Sequence, residues 1–105
     1  MDKEAAVERV REYAEALLRQ NIPLSKVILF GSHATGSAGE DSDIDVAVVI
    51  SHIEGDWLQF SARLFRLTRD IDLRIEPIAL EETGDRSGFL AHILKTGEVI
   101  YSKAA

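Results

Sequence analysis

Two short, continuous apolar runs most constrain how this chain can fold. The segments "KVILF" at 26–30 and "DIDVAVVI" at 43–50 are rich in Val and Ile. Runs of this length and composition favour buried strands over helices. The latter half of the second segment is apolar on both faces, as in a sheet that helices cover. The two runs therefore predict a sheet packed against helices.

Three other segments place apolar residues at helical spacing: 3–20, 57–71 and a shorter one from Phe89. Asp2 and Asp56 stand just before the first two segments, where a carboxylate can accept a free backbone N–H. We therefore predict three amphipathic helices. One further short helix is expected inside the stretch 31–42, which is rich in Gly, Ser and Ala.

Two further segments have the pattern of strands. Residues 71–80 alternate between apolar and charged side chains, and residues 98–102 form a short, partly apolar run. Together with the helices, the predicted order is α-β-(α)-β-α-β-α-β. This order predicts an α+β (α/β) fold in which helices cover a small mixed β-sheet of about four strands.

The 105 residues are expected to form one domain, 1–105, because domains commonly contain about 100–150 residues. No apolar segment reaches the roughly 20 residues of a membrane helix, and the N-terminus lacks the apolar stretch of a signal peptide. With no cysteines either, we expect a cytoplasmic protein. The net charge of −6 argues against extended binding of a nucleic-acid backbone. A nucleotide whose phosphates are screened by a divalent cation remains compatible with this charge.

Three aspartates at alternate positions, Asp41, Asp43 and Asp45, lead into the second apolar run. An EF-hand calcium loop is excluded, because Val46 and His52 occupy the positions that require Gly and Glu. Asp43 and Asp45 point to the same face of a strand start, where two carboxylates repel each other unless a cation lies between them. We therefore predict a metal site at this pair, against the alternative of a solvated acidic turn. Asp41 is expected to be a turn residue.

A Gly-Ser turn, "GSHATG" at 31–36, follows the first predicted strand. Its glycines allow close backbone approach, and a helix that starts there presents free N–H groups to an anion. Mg²⁺ favours a few carboxylates together with phosphate oxygens and water. The turn and the aspartate pair together predict a nucleotide–Mg²⁺ site. His33, inside the turn, is expected to be an exposed loop residue.

The polar face of the third predicted strand carries Asp72 and Glu76. If this strand lies beside strand 43–50, either residue could supply a third carboxylate. With two Mg²⁺ ions, one aligning a triphosphate and one activating an attacking hydroxyl, the site would transfer a phosphoryl group. The alternative for both residues is ion pairing with Arg74 or with neighbouring basic side chains.

The segment "GSHATGSAGEDSDIDVAVV" resembles the signature of the DNA polymerase β-like nucleotidyltransferases: Gly-Ser, a spacer of about ten residues, then Asp-x-Asp. The chain is most similar to the minimal nucleotidyltransferase (MNT) group, whose members are single small domains. The resemblance extends from the leading helix through "IDLRIEPI" to the ending "ILKTGEVIY". It implies the polymerase β-like nucleotidyltransferase fold.

The resemblance also implies roles for individual residues. Asp43 and Asp45 would bind Mg²⁺, and the third carboxylate would be Glu76, which fits the family spacing to the "ILKTG" ending better, or else Asp72. The nucleotide would be held by Gly31, Ser32, Gly36 and Ser42. One position departs from the pattern: Thr35 stands where many relatives have Arg in G-S-x-A-R-G, and this puts nucleotide affinity or turnover in doubt.

The function implied is Mg²⁺-dependent transfer of AMP from ATP to a hydroxyl acceptor. MNT proteins commonly pair with a helical HEPN-family toxin and act as its antitoxin by binding or AMPylating it, so a HEPN partner is expected here. A homodimer is a further expectation. The competing interpretation is a non-catalytic module of the same fold, which neutralises its partner by contact alone.

Overall fold

The computed structural model describes residues 1–39, 42–85 and 87–103. Asp41, predicted to be a turn residue, lies outside these ranges. The elements are α1 (Lys3–Arg19), β1 (Leu24–Phe30), α2 (Ser32–Thr35), β2 (Ile44–Ile50), α3 (Trp57–Arg66), β3 (Ile75–Glu81), α4 (Phe89–Thr96) and β4 (Glu98–Ser102). Among the described residues, none of the helices has the length and apolar character needed to span a membrane.

The four strands form one mixed sheet in the order β3-β2-β1-β4. β1 pairs antiparallel with both β2 and β4, whereas β2 and β3 are parallel. The parallel pair requires a crossover between β2 and β3, and α3 provides it. The predicted element order and the mixed sheet covered by helices are confirmed.

Helices cover both faces of the sheet, and alternate residues of each strand divide between the two faces. Val46 and Val48 of β2 join the larger apolar cluster, which contains the inner faces of α1 and α3. Ala47 and Val49 point the other way, into a smaller cluster with Leu90 and Ile93 of α4. The continuous apolar run of β2 is therefore buried from both sides, which explains why its sequence does not alternate.

The sequence places two helix starts correctly. Asp2 Oδ1 accepts the backbone N–H of Ala5 at 2.9 Å, and Asp56 Oδ1 accepts that of Leu58 at 2.8 Å. Both carboxylates satisfy N–H groups that the first helical turn leaves without a partner.

The segment between α3 and β3 differs from the prediction. α3 ends at Arg66 instead of continuing towards Ile71, and β3 begins at Ile75 instead of Ile71. Thr68 Oγ1 donates to the Phe65 carbonyl at 2.7 Å, and the Asp72 carboxylate accepts the backbone N–H of Arg74 at 2.9 Å. These side-chain bonds to the backbone compete with regular structure and hold a series of turns there.

A buried hydroxyl joins α1 to α3. Tyr13 is fully buried, and its hydroxyl donates to the Leu64 carbonyl at 2.7 Å. Burial also raises the pKa of Tyr13. The backbone N–H of Thr68, which would reach Leu64 in a longer helix, bonds the Phe65 carbonyl instead. Tyr13 therefore satisfies a carbonyl that the end of α3 leaves exposed to the core.

We expect Tyr13→Phe to lower the free energy of unfolding by about 1–3 kcal/mol, because it leaves the buried Leu64 carbonyl without a partner. Urea unfolding of the two proteins measures the difference. Tyr101→Phe is the matched control, since the Tyr101 hydroxyl makes no hydrogen bond among the described residues. Equal losses from the two substitutions would contradict this account.

Candidate functional site

Strand pairing brings three carboxylates to one end of the sheet. Asp43 immediately precedes β2, and Asp45 lies two residues further on, so both side chains point to the same face. In the parallel pairing of β2 with β3, Asp45 is aligned with Glu76. All three share the face on which Ala47 and Val49 meet α4. Asp43 and Glu76 are exposed there, and Asp45 is half-buried.

The electrostatics of the cluster reflect this proximity. The negative charge of Asp43 is the main cause that raises the pKa of Glu76, with smaller effects from burial, the charge of Asp45 and a hydrogen bond to Asp43. Burial, followed by the charge of Asp43, raises the pKa of Asp45, and His33 opposes this effect. The three groups are thus held together against mutual repulsion, which a bound cation would relieve.

The donor set fits Mg²⁺. In the part of the chain that the structure describes, no three acidic or histidine side chains already converge in metal-ligand geometry. Mg²⁺ nevertheless takes only one or two carboxylates in nucleotide sites and completes its octahedron with phosphate oxygens and water. Asp43 and Asp45, with Glu76 beside them, supply hard oxygen ligands of this kind.

The Gly-Ser turn lies directly against these carboxylates. Phe30, the last residue of β1, is aligned with Asp45 of β2. Gly31 follows with φ +75° and ψ −153°, a conformation that is essentially restricted to glycine. A Cβ at this position would overlap Asp45 Oδ2 and lie 3.1 Å from Asp45 Cγ. Gly31 is therefore required both by its backbone and by the approach of Asp45.

The short helix α2 completes the turn. The backbone N–H of Ala34 bonds the Gly31 carbonyl at 3.1 Å, and Ser32, which is half-buried, opens the helix. Gly36 ends it in a left-handed conformation with φ +81°, and nothing lies within 4 Å of where its Cβ would be. The predicted nucleotide-binding residues Gly31, Ser32 and Gly36 thus lie on one turn beside Asp45.

His33 is buried, so the prediction of an exposed loop residue is wrong. Only 2% of its surface is exposed, and Nε2 lies 3.3 Å from the Ser42 carbonyl oxygen. Ser42 Oγ in turn accepts the backbone N–H of Gly39 at 2.8 Å. His33 and Ser42 therefore hold the Gly-Ser turn against the segment that precedes Asp43. Nothing in the sequence besides its place in the turn marks His33 for this role.

Thr35, the position that departs from the family pattern, is used within the turn. Its hydroxyl lies 2.9 Å from Ser37 Oγ and 3.3 Å from the Ser32 carbonyl oxygen, to which it donates. A short hydroxyl side chain bonded in this way cannot reach outward as a guanidinium does.

Asp72 does not join the cluster. It lies in the turns before β3, and Arg74 Nη2 donates to its Oδ2 at 2.7 Å. Arg9 Nε, from α1, lies 3.7 Å from the same oxygen. The side-chain hydrogen bond from Arg74 is the main cause that lowers the pKa of Asp72. Of the two candidates for a third carboxylate, the structure brings only Glu76 to Asp43 and Asp45.

A cavity of about 340 Å³ opens beside the carboxylates. It is lined by Asp43 and Glu76, by the turns after α3, and by Phe65 and Arg66 of α3 itself. A larger cavity of about 580 Å³ lies near the loop after β3 and the start of α4, and its lining includes none of the three carboxylates. Of these two cavities, the smaller one adjoins the carboxylates.

Residues 12–105 match the protein family described as "Polymerase beta, Nucleotidyltransferase". The chain belongs to this family. The matched region contains the Gly-Ser turn, both aspartates of the Asp-x-Asp motif and Glu76. The resemblance inferred from those motifs is confirmed. Nucleotidyltransferases of this fold generally use an NTP and a divalent metal.

Two solved structures share the fold of this nucleotidyltransferase. A proposed nucleotidyltransferase from Sulfolobus solfataricus aligns with a TM-score of 0.73 at 22% identity, covering 96% of this chain and 84% of the other. The complex of a tri-AMPylated Shewanella oneidensis HEPN toxin with an MNT antitoxin aligns with a TM-score of 0.60 at 20% identity, covering 92% of this chain and 73% of the other. At these identities the likeness shows the fold.

A curated relative, human terminal uridylyltransferase 7, is 36% identical over 52 residues. The alignment covers 50% of this chain and 4% of the relative, so the nucleotidyltransferase spans only a small part of that protein's length.

We expect Gly31→Ala to lower the free energy of unfolding by about 1–3 kcal/mol, because Ala must adopt a backbone conformation restricted to glycine and must displace Asp45. The matched control is Gly36→Ala, whose added Cβ enters open space and costs only the left-handed conformation. Urea unfolding compares the two, and a larger loss for Gly36→Ala would contradict the assigned contact.

The carboxylate cluster also predicts a pH dependence of stability without divalent cations. Asp45 and Glu76 have raised pKa values, so the folded protein binds their protons more tightly than the unfolded chain. Their contribution to the free energy of unfolding is fully present below their ordinary pKa values. It is lost as the pH rises through the raised pKa values. We expect Glu76→Gln to remove part of this loss. With EDTA present for both proteins, the variant should therefore melt at a higher temperature than the wild type at neutral pH.

Asp72→Asn is the control, because Asp72 affects the pH dependence of stability in the opposite direction. The pKa of Asp72 is lowered, so its contribution is present above its ordinary pKa and is lost as the pH falls. Replacing this partly buried carboxylate by a neutral amide weakens its charged hydrogen bonds with Arg74 and should cost about 1–3 kcal/mol at neutral pH. Melting curves across the acid range measure both effects. A Glu76→Gln protein less stable than wild type at neutral pH would refute repulsion within the cluster.

Proposed function

We propose that this nucleotidyltransferase transfers AMP from ATP to a hydroxyl group on a HEPN-class partner protein and so acts as an antitoxin. The observation that carries this proposal is the alignment of Asp45 with Glu76 on one side and with the Gly-Ser turn on the other. The carboxylates proposed to bind metal thereby lie beside the turn proposed to bind phosphate. The AMPylated HEPN toxin in the similar Shewanella oneidensis complex supports the choice of AMP and of the partner class.

Each residue then has a task in the reaction. Asp43 and Asp45 hold Mg²⁺, for which two ions are proposed, and the N–H groups at the start of α2 bind phosphate oxygens. When bound by these carboxylates, Mg²⁺ would neutralise phosphate charge and lower the pKa of the acceptor hydroxyl. Glu76, which strand pairing places beside Asp45, accepts the proton of that hydroxyl as general base. The acceptor oxygen bonds to the α-phosphorus, the bond from the α-phosphorus to the bridging oxygen breaks, and pyrophosphate leaves.

A second function deserves a test because of Thr35. Its hydroxyl is engaged inside the Gly-Ser turn, where many relatives have an Arg, so one phosphate contact is missing. On this account the protein keeps the fold, has little or no turnover, and neutralises its partner by contact alone.

The two functions make opposite predictions for Asp43→Asn. We expect the wild type to transfer label from α-³²P-ATP, in the presence of Mg²⁺, to the purified product of the adjacent gene. Asp43→Asn removes a proposed Mg²⁺ ligand and Glu76→Gln removes the proposed proton acceptor, and each should lower this transfer by about a hundredfold or more. Glu82→Gln is the control, because Glu82 is exposed and lies outside the site.

Running the same assay with UTP, CTP and GTP decides the nucleotide, since a curated relative is a uridylyltransferase. If the wild type transfers no nucleotide and Asp43→Asn still neutralises the partner fully, the enzymatic interpretation is refuted. The protein would then act as a non-catalytic binding module.

A further inference from the structure

The outer side of α3 carries apolar side chains that the core does not use. Leu58 is 69% exposed and Phe65 is 49% exposed, and their spacing of seven residues places them on one face of the helix. Leu73, in the turns before β3, is 78% exposed. Phe65 and Leu73 line the same cavity. Several large exposed apolar side chains in one region of the surface are a feature of interaction sites.

Two cations border this surface. Arg66 and Arg69 line the cavity together with Phe65 and Leu73, and neither forms an ion pair among the described residues. Arg63, one turn earlier on α3, is engaged differently, because its guanidinium donates to the Gln20 carbonyl at 2.8 Å. The chain as a whole carries a net charge of −6, and Asp43 and Glu76 line the same cavity, so Arg66 and Arg69 supply its positive charge. We call Leu58, Phe65, Arg66, Arg69 and Leu73 the α3 face.

The α3 face lies on the acceptor side of the site. Gly31 follows β1, whereas Glu76 lies on β3, and β2 with Asp45 separates them. Phosphoryl transfer places the attacking and leaving oxygens roughly in line across the phosphorus. With the pyrophosphate held at the Gly-Ser turn, the acceptor must approach from the β3 side. The cavity between Glu76 and the α3 face is on that side, and β3 is the edge strand, so no further strand blocks it.

We propose that the α3 face docks a segment of the partner protein that combines apolar and acidic side chains and delivers its acceptor hydroxyl to Glu76. This inference rests on the proposed function and adds the surface that selects the acceptor. Phe65 and Leu73 bury the apolar side chains of the segment, and Arg66 and Arg69 pair with its carboxylates. A nucleic-acid acceptor fits less well, because the net charge is −6 and exposed leucines border the arginines.

The test uses three variants of the full chain and the purified product of the adjacent gene. Leu73→Ser removes exposed apolar surface, Phe65→Ser removes the aromatic wall of the cavity, and Arg66→Glu with Arg69→Glu reverses the charge. The matched control is Lys95→Glu with Lys103→Glu, which reverses two exposed charges away from the α3 face. Melting temperatures establish that each variant is folded, and Leu73, being largely exposed, can be changed with little effect on folding.

We expect each α3-face variant to lower kcat/KM for the partner by about tenfold or more, with KM for ATP unchanged. The control variant should have the same kcat/KM for the partner as the wild type. The affinity for the partner, measured by calorimetry in the Asp43→Asn background, should fall by a similar factor. For the wild type this affinity should weaken as NaCl is added, and the double arginine variant should lose most of that dependence.

Failure of the docking surface and failure of the proposed function give different results. If the wild type transfers no label, the proposed function fails, and loss of partner affinity in the α3-face variants still supports the surface. If the wild type transfers label and the variants do so with unchanged kcat/KM, the docking surface is refuted. The docking surface is also refuted if the partner does not bind the wild type. It is refuted as well if the wild type transfers label to a short single-stranded RNA and the arginine variant abolishes that transfer.

Discussion

The position of β2 between two different partners governs the rest of this structure. Its antiparallel pairing with β1 brings Asp45 against the end of β1, where Gly31 begins the turn. Its parallel pairing with β3 brings Glu76 beside the same residue. Backbone hydrogen bonds thus gather three carboxylates and one glycine turn from distant parts of the chain. A slip of β2 by one residue would turn the Asp45 carboxylate to the face on which Val46 and Val48 are buried, and the cost of burying this charge opposes such a slip.

The cost of this arrangement is electrostatic. Asp43, Asp45 and Glu76 repel one another, and the sheet holds them together. His33 opposes the rise in the pKa of Asp45, and its Nε2 lies 3.3 Å from the Ser42 carbonyl oxygen. A functional site commonly stores strain that its surroundings must offset. Here the strands that carry the carboxylates are packed against helices on both faces of the sheet, and this packing offsets the repulsion.

Many features of the fold and of the candidate site could be predicted from the sequence, and the correct predictions all rest on local sequence patterns. The strands β1 and β2 are short apolar runs, Asp2 and Asp56 are local caps, and the Gly-Ser and Asp-x-Asp motifs are local patterns. The failures depend on tertiary contacts. Residues 71–74 alternate like a strand, but Asp72 bonds Arg74 and Arg9 and holds a turn. His33 looks like a loop residue in sequence, yet α2 carries it inward. Sequence spacing left Asp72 and Glu76 as rivals, and only the register of β3 separates them.

The turns that follow α3 have a consequence for how such proteins diversify. Asp45 and Glu76 stand on β2 and β3, whose neighbouring side chains pack into the core, so that substitutions beside them disturb packing. The α3 face stands on the outer side of a helix and on a surface turn, which tolerate change at little cost in stability. If the α3 face docks a partner protein as proposed, substitutions at Leu58, Phe65 or Leu73 would change which partner is recognised while the strands of the sheet stay unchanged. The two proteins could then acquire compensating substitutions until each recognises only the other, with the carboxylate cluster unaltered.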